Sequence, residues 1–334
     1  MIGVLSTDDI RAAVRAAEQR IRPYVRETPL EPSPTLSREG GCNVLLKLEN
    51  LQVTGSFKPR GAFSKLLSLS PVERLAGITT ASTGNHANAM AHALETLDVP
   101  GEIFMPSTAS PAKIETLVLR EAALRLVEDD PAHVEAIARR EAEASGRVFV
   151  SPYNDLAVIG GQGTIAAELE RQLGGLPDAV IVPVGGGGLI AGIAGYLKAA
   201  APGVTIVGAQ PAASPVIAQS LRAGGELLAL PWAPSLSDAT VGLVEPGAIT
   251  YPVCRDFVDE WILLAEDEIA QAMLLVMARH AVMVEGAGVL SVAAFLQRPA
   301  RWAGRTVVCI VSGSHIPLDE LGRVLTGRPA LRPA

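Results

Sequence analysis

The sequence predicts an α/β protein: a mostly parallel sheet covered by helices. Two observations carry this. Apolar, strand-like runs alternate with helical patterns along nearly all of the 334 residues, the order that βα units produce. The run Ala179 to Leu197, "AVIVPVGGGGLIAGIAGYL", is uncharged and as long as a bilayer span. It carries six glycines and a proline, so it reads better as a buried strand, a glycine loop and the start of a helix. No internal repeat or low-complexity tract interrupts the pattern.

The elements follow in order. "STDDIRAAVRAAEQRI" reads as a helix capped by Ser6 or Thr7, with acidic residues in its first turn. "NVLLKLE" is a strand, "GAFSKLLSLS" a helix, "AGITTAS" a strand, "NHANAMAHALETL" a helix and "GEIFMP" a strand. The alternation continues through "AALRLVE", "GRVFVSP", "AVIVPV", "GLIAGIAGYLKAA" and "VTIVGAQ". "RAGGELLALPWAPSLSDAT" is the best candidate for a long loop, and "TVVCIVSG" is the last strand. About twenty residues follow it, so no added regulatory domain is expected.

A net charge of −7 and a pI near 5.4, without a cluster of basic residues, argue against a nucleic-acid or anionic-membrane surface. Small molecules are the expected partners. Cys42, Cys254 and Cys309 are far apart, odd in number and without metal-ligand spacing. They suit a reducing compartment and are expected in the core. "MIGVLSTDDIRAAVRAA" shows no basic start followed by an apolar stretch, so no signal peptide is expected and the location is expected to be cytoplasmic.

Three segments carry candidate chemistry. In "TGSFKPRGA", Lys58 stands between Phe57 and Pro59, away from other charged clusters. It is either a loop lysine beside a turn or a desolvated amine that forms a Schiff base. In "TASTGNHANAMAHAL", Ser82, Thr83, Gly84, Asn85 and His86 lie between a strand and a helix. They offer either a capping motif or a receptor for a substrate carboxylate. His86 is equally a structural histidine or a functional one, and His92, His133 and His280 are assigned no role. Gly185, Gly186, Gly187 and Gly188 join a strand to a helix, the setting in which backbone amides bind phosphate. Gly186, Gly188 and Ala191 also satisfy the dinucleotide pattern. The acidic residue that pattern requires is replaced by Gln210, which counts against a nicotinamide cofactor. Ser312, in "VSGSHI", stands beyond the last strand, where open sheets bind ligands.

Together, "KLENLQVTGSFKPRGA", "ASTGNHANA", "GGQGT", "PVGGGGLIAGIA", "DEWILLAEDEI", "VEGAG" and "CIVSGS" resemble the fold-type II pyridoxal-phosphate enzymes. The branch is that of the serine and threonine dehydratases and serine racemase. The motifs occur in family order and cover nearly the whole chain. The resemblance implies a tryptophan synthase β-like α/β fold with two open, twisted, mostly parallel sheets covered by helices. It also implies a large cofactor domain (1–52 and 150–334), a smaller one (53–149) that closes over the substrate, and a homodimer.

The resemblance assigns the Schiff base to Lys58, with Phe57 near the cofactor ring and Asn85 near its phenolic oxygen. Gly185 to Gly188 would surround the phosphate, Ser312 would face the pyridine nitrogen, and Glu285 would lie near the cofactor. Ser82, Thr83 and Gly84, with His86, would receive the substrate. A neutral hydroxyl bonds the ring nitrogen without favouring its protonation. That suits expulsion of a β-substituent soon after Cα deprotonation. The implied reaction is ammonia-lyase chemistry: Lys58 removes the Cα proton, the β-hydroxyl leaves, and a 2-oxo acid and ammonia form.

Several departures bear on this reading. Thr83 stands where serine racemase has its second acid/base serine; it keeps a hydroxyl but is stiffer, so racemisation is the alternative reading. Gln210 and Val216 occupy positions that carry acidic cation ligands in racemase-like members, so no metal is expected there. Ser314-His315 replaces the usual Gly-Asn, and Asp238-Ala239 the usual Asp-Gly. "TASTGNH" is also similar to dehydratases of hydroxyectoine breakdown. A hydroxyectoine-derived amino acid, phenylserine and 3-hydroxyaspartate therefore stay open beside serine and threonine. A non-catalytic binding protein of this fold would have no need of the lysine.

Overall fold

The computed structural model describes residues 4–120, 122–128 and 133–327; the first three residues of the opening segment and the last seven of the chain lie outside it. Among the described residues, ten strands form two sheets. In chain order they are β1 (Leu30–Pro32), β2 (Asn43–Leu48), β3 (Ile78–Ala81), β4 (Gly101–Pro106) and β5 (Leu124–Val127), then β6 (Val148–Phe149), β7 (Ala179–Pro183), β8 (Thr205–Pro211), β9 (Glu260–Leu264) and β10 (Thr306–Val311). The larger sheet runs β1-β2-β10-β7-β8-β9 and the smaller β5-β4-β3-β6. Only the β1–β2 pair is antiparallel among the described strands.

The central strands of the larger sheet are buried on both faces. Along β10, Val308 and Ile310 join one apolar cluster, while Val307, Cys309 and Val311 join another. Side chains on a strand alternate faces, so a strand apolar at every position needs helices on both sides. The Leu156–Leu173 and Gly188–Ala200 helices supply one cover and the Leu290–Gln297 helix the other.

The opening helix, Thr7–Ile21, starts on Ser6, whose hydroxyl accepts from the Asp9 N–H while the Asp9 carboxylate accepts from the Ser6 N–H. The long run that could have crossed a membrane divides into β7, the glycine loop and a helix from Gly188. No helix of the described residues is long and apolar enough to cross a membrane. The expected long loop is free of regular structure from 223 to 237.

One strand is added to those read from the sequence, and two expectations are corrected. "EWILL" forms β9, an edge strand mostly half-buried, whose pattern runs into the helix Glu266–His280 and hides the boundary. The helix expected from Gly61 starts at Lys58, with Pro59 at its opening turn, where a missing N–H costs nothing. Cys254 and Cys309 are buried, but Cys42 is only half-buried, because it follows the turn at Gly41 and precedes an exposed Asn43.

Candidate active site

Lys58 is aimed by the backbone on either side of it. Ser56 forms an antiparallel bridge with Gly313, and the Phe57 N–H donates to the Ser312 carbonyl at 3.1 Å. The chain then turns at once into the Lys58–Ser68 helix. Lys58 is half-buried, with its Nζ donating to the Pro152 carbonyl at 3.1 Å and lying 5.2 Å from the Phe57 ring centre. Burial pulls the amine down to about 8, against the opposing pull of Glu285. Such a lysine sheds its proton far more readily than an exposed one, which is what a nucleophile or base requires.

Ser82, Thr83 and Gly84 form a half-buried turn between β3 and the helix Asn85–Leu97. The first N–H groups of a helix have no partner within it, so this turn presents donors to an anion. The Ser82 hydroxyl accepts from the Gly84 N–H at 3.3 Å, which tightens the turn. Asn85, buried at the helix start, donates its amide to Glu285 Oε1 at 2.7 Å. Burial raises the Glu285 carboxyl to about 8 and the Asn85 bond only partly offsets it, so this acid is largely neutral at pH 7. Its neutrality spares the site a buried, unpaired negative charge.

His86 faces inward. Its Nε2 lies 3.0 Å from the Thr80 hydroxyl, which itself donates to the Val150 carbonyl at 2.7 Å. With the hydroxyl proton committed to Val150, the ring must donate through Nε2, leaving Nδ1 as an acceptor. Burial, then the nearby Lys58, lowers its pKa to about 3, so the ring is neutral at any working pH.

The glycine loop follows β7 and Ser312 follows β10, adjacent parallel strands whose C-terminal ends therefore open at one place. Gly187 has φ +88°, a conformation that disfavours side chains. A Cβ at Gly185 would stand 3.1 Å from Thr240 Cα, and one at Gly188 3.0 Å from Tyr153 Cα. The Thr250 hydroxyl holds the Gly186 carbonyl at 2.7 Å. Tyr153 follows Pro152, which holds Lys58, so one short segment joins the amine to the loop. Buried Ser312 donates to the Ala287 carbonyl at only 3.3 Å. That is long for a hydroxyl bond, so a better acceptor would capture it.

The structure thus brings Phe57, Lys58, Asn85, Gly185 to Gly188, Glu285 and Ser312 to one junction of the two sheets. Ser82 to Gly84 form its turn at the end of β3, with the His86 ring turned away toward Thr80. Two open hollows of about 380 and 270 Å³ lie elsewhere and contain none of these residues. Sequence reading missed the residues that shape the glycine loop: Tyr153, Thr240, Thr250 and Asn154, whose Oδ1 accepts from the Ile249 N–H at 2.8 Å. It also missed the buried charges behind Lys58, for which a signal existed: Lys47 and Glu168 each interrupt an apolar run.

Pyridoxal phosphate fits this set of residues. The amine is partly free, the glycine loop offers backbone close to any bound group, and Ser312 holds a weakly engaged hydroxyl. Buried Thr54 Oγ1, Ser56 Oγ, Asn85 Oδ1 and His86 Nδ1 lack a partner among the described residues, and folded proteins normally avoid leaving buried polar groups unmet.

Comparison with known proteins agrees with the geometry. The chain is 38% identical to an L-threonine ammonia-lyase of Geobacter sulfurreducens over 324 residues, covering 94% of this chain and 79% of that protein. It is 34% identical to a serine racemase of Arabidopsis thaliana, covering 92% and 94% of the two chains. The solved structure of maize serine racemase superposes with a TM-score of 0.88 at 32% identity, covering 97% of this chain and 98% of that one. The family model for "Pyridoxal-phosphate dependent enzyme" matches residues 21–313, and the chain belongs to that family.

Proposed function

We propose that this protein is an ammonia-lyase that removes the β-hydroxyl of a small hydroxy amino acid, L-threonine or L-serine, releasing a 2-oxo acid and ammonia. The observation that carries this reading is geometric: the Lys58 amine, the glycine loop and a weakly held Ser312 hydroxyl meet where the ends of adjacent parallel strands open. The relatives named as threonine ammonia-lyases support the substrate class.

Lys58 would hold the cofactor covalently, Gly185 to Gly188 its phosphate, Asn85 its phenolic edge and Ser312 its ring nitrogen. Phe57 and Glu285 would lie beside it. When bound, pyridoxal phosphate withdraws electrons from Cα of an amino acid joined to it, making that proton removable. Lys58 Nζ, set free when the substrate amine takes over its bond, would take the Cα proton. The turn Ser82 to Gly84, with the first amides of the Asn85 helix and His86 behind it, orients the substrate carboxylate. Ser312, a neutral donor, leaves the ring a moderate electron sink, which favours prompt loss of the β-hydroxyl. Glu285, kept protonated, adds no charge beside the reacting centre.

The smaller unit, residues 53–149, would close over the substrate against 1–52 and 150–334 and exclude water. A homodimer acting in the cytoplasm completes the proposal.

Racemisation is the second reading, supported by the serine racemase relatives and by the hydroxyl that Thr83 carries. One assay separates the two. The cofactor-loaded protein is given L- and D-serine, L- and D-threonine, 3-hydroxyaspartate and phenylserine, with 2-oxo acid, ammonia and residual enantiomers quantified. Equal release of oxo acid and ammonia is expected. Inverted substrate without ammonia overturns the lyase reading in favour of the racemase.

A further inference from the structure

Behind the site lies a buried ion cluster with no direct part in the chemistry above. Arg60 is wholly buried and is gripped from two sides. Its Nε and Nη2 donate to Glu49 at 2.7 and 2.8 Å, and its Nη1 and Nη2 to Glu168 at 2.7 and 2.9 Å. Nη1 also donates to Thr164 Oγ1 at 3.0 Å. Lys47 balances Glu168 at 2.5 Å and donates to the Thr28 carbonyl at 2.8 Å. The four buried charges sum to zero and come from four elements: β2, the short Glu49–Leu51 turn, the Lys58 helix and the Leu156–Leu173 helix.

Two features tie this cluster to the site. Arg60 lies two residues beyond Lys58 in the same helical turn, so a fork held by two carboxylates fixes the rotation of that turn about its axis. The Glu49–Leu51 turn also reaches the other reactive group. Asn50 Nδ2 donates to the Met283 carbonyl at 3.0 Å, two residues before Glu285, and Ser314 Oγ donates to the Asn50 carbonyl at 3.4 Å.

We propose that Arg60, clamped between Glu49 and Glu168, is a positioning residue that sets where the Lys58 amine stands relative to Glu285 and the bound cofactor. This inference rests on the reading of Lys58 as the cofactor-holding lysine. A lysine at position 60 would keep the charge and lose the planar fork, so the charge balance survives while the rotational lock does not. Glu285 acts electrostatically on the Lys58 amine, and the Lys58 charge in turn acts on His86, so a moved amine reports itself through its titration.

The test uses full-length protein loaded with pyridoxal phosphate. Borohydride reduction and peptide mapping of the wild type come first; a label absent from Lys58 overturns the cofactor reading itself, separately from this inference. Arg60→Lys is then compared by pH titration of the cofactor absorbance and by the rate of cofactor release, with circular dichroism as the fold control. A folded Arg60→Lys with a displaced titration midpoint and release faster by roughly tenfold or more supports the proposal, since small misplacements at a reacting centre have large effects. A folded variant with unchanged midpoint and release rate reduces the cluster to a structural role and overturns it. Should Arg60→Lys fail to fold, Thr164→Val decides. That variant removes one bond to Arg60, and a release rate raised about twofold supports the proposal while an unchanged one overturns it.

Discussion

Two regions of this molecule bury titratable groups, and they do opposite things with them. Behind the site, Lys47, Glu49, Arg60 and Glu168 have side chains wholly out of water and bond one another as cation and carboxylate; burial lowers the Lys47 amine, and Glu49 and Glu168 pull against it. Burial would raise the Glu168 carboxyl, yet Arg60 and Lys47 hold it down at about 2. Burial likewise opposes the Arg60 charge, and Glu49 and Glu168 overcome it. In the site, half-buried Lys58 and buried Glu285 and His86 have no such ion-pair contacts, and each moves toward its neutral form. Burial alone therefore does not decide charge; the geometry of the partners does.

The sharpest way to break this contrast is to remove the amine. Lys58→Ala should lower turnover by roughly 10³-fold or more, in the range expected for loss of a positioned base, and should leave no borohydride-fixed label at that position. Near-normal oxo acid release from a folded variant would take Lys58 out of the chemistry.

Next in size is damage to the paired region. Glu168→Ala takes the 2.5 Å carboxylate from buried Lys47 and leaves Arg60 with Glu49 alone, and should cost about 3–5 kcal/mol by urea denaturation. A loss under about 1 kcal/mol would mean that the cluster is less tightly coupled than its distances suggest.

The unpaired region is best probed by pH. The folded-state value of Glu285 lies above its ordinary value, so the stability it contributes is complete below the ordinary carboxylate range and is lost as pH rises through about 8. Lys58 is depressed from 10.5 to about 8, so its contribution is present above pH 10.5 and is lost as pH falls through about 8. Glu285→Gln should abolish the first of these. Melting temperatures of cofactor-free protein between pH 5 and 8 should then fall for the wild type relative to the variant; parallel curves would show that Glu285 ionises normally.

The smallest effect belongs to an exposed pair, which serves as the control. Lys113 and Asp238 are 2.8 Å apart, but the Asp238 side chain is 69% exposed. Lys113→Gln should change stability by less than about 1 kcal/mol in urea denaturation. A larger loss would show that this contact does more than an ordinary surface pair.

Much of this was legible in the sequence. The helix Asn85–Leu97, the strand Gly101–Pro106 and the helix Gly188–Ala200 carry their own boundaries, because glycine, proline and capping residues act locally. Lys58, the glycine loop and Ser312 each sit at a recognisable transition between elements. The β9 strand was not legible, because half-burial at a sheet edge leaves no clean period. The inward turn of His86 was equally hidden, since it depends on Thr80 and on Val150 across the smaller sheet.

By itself, the sequence determined the alternation of strands and helices, the local turns that hold Lys58 and the glycines, and the order of motifs that marks the family. Only the tertiary structure decided that Asn85 would meet Glu285, that Arg60 would be gripped by Glu49 and Glu168, and that Lys58 would lose water without gaining a close carboxylate. The physical reason is range. Backbone preference and capping act over a few residues and can be read along the chain, whereas desolvation and ion pairing depend on which distant side chains arrive in the same place.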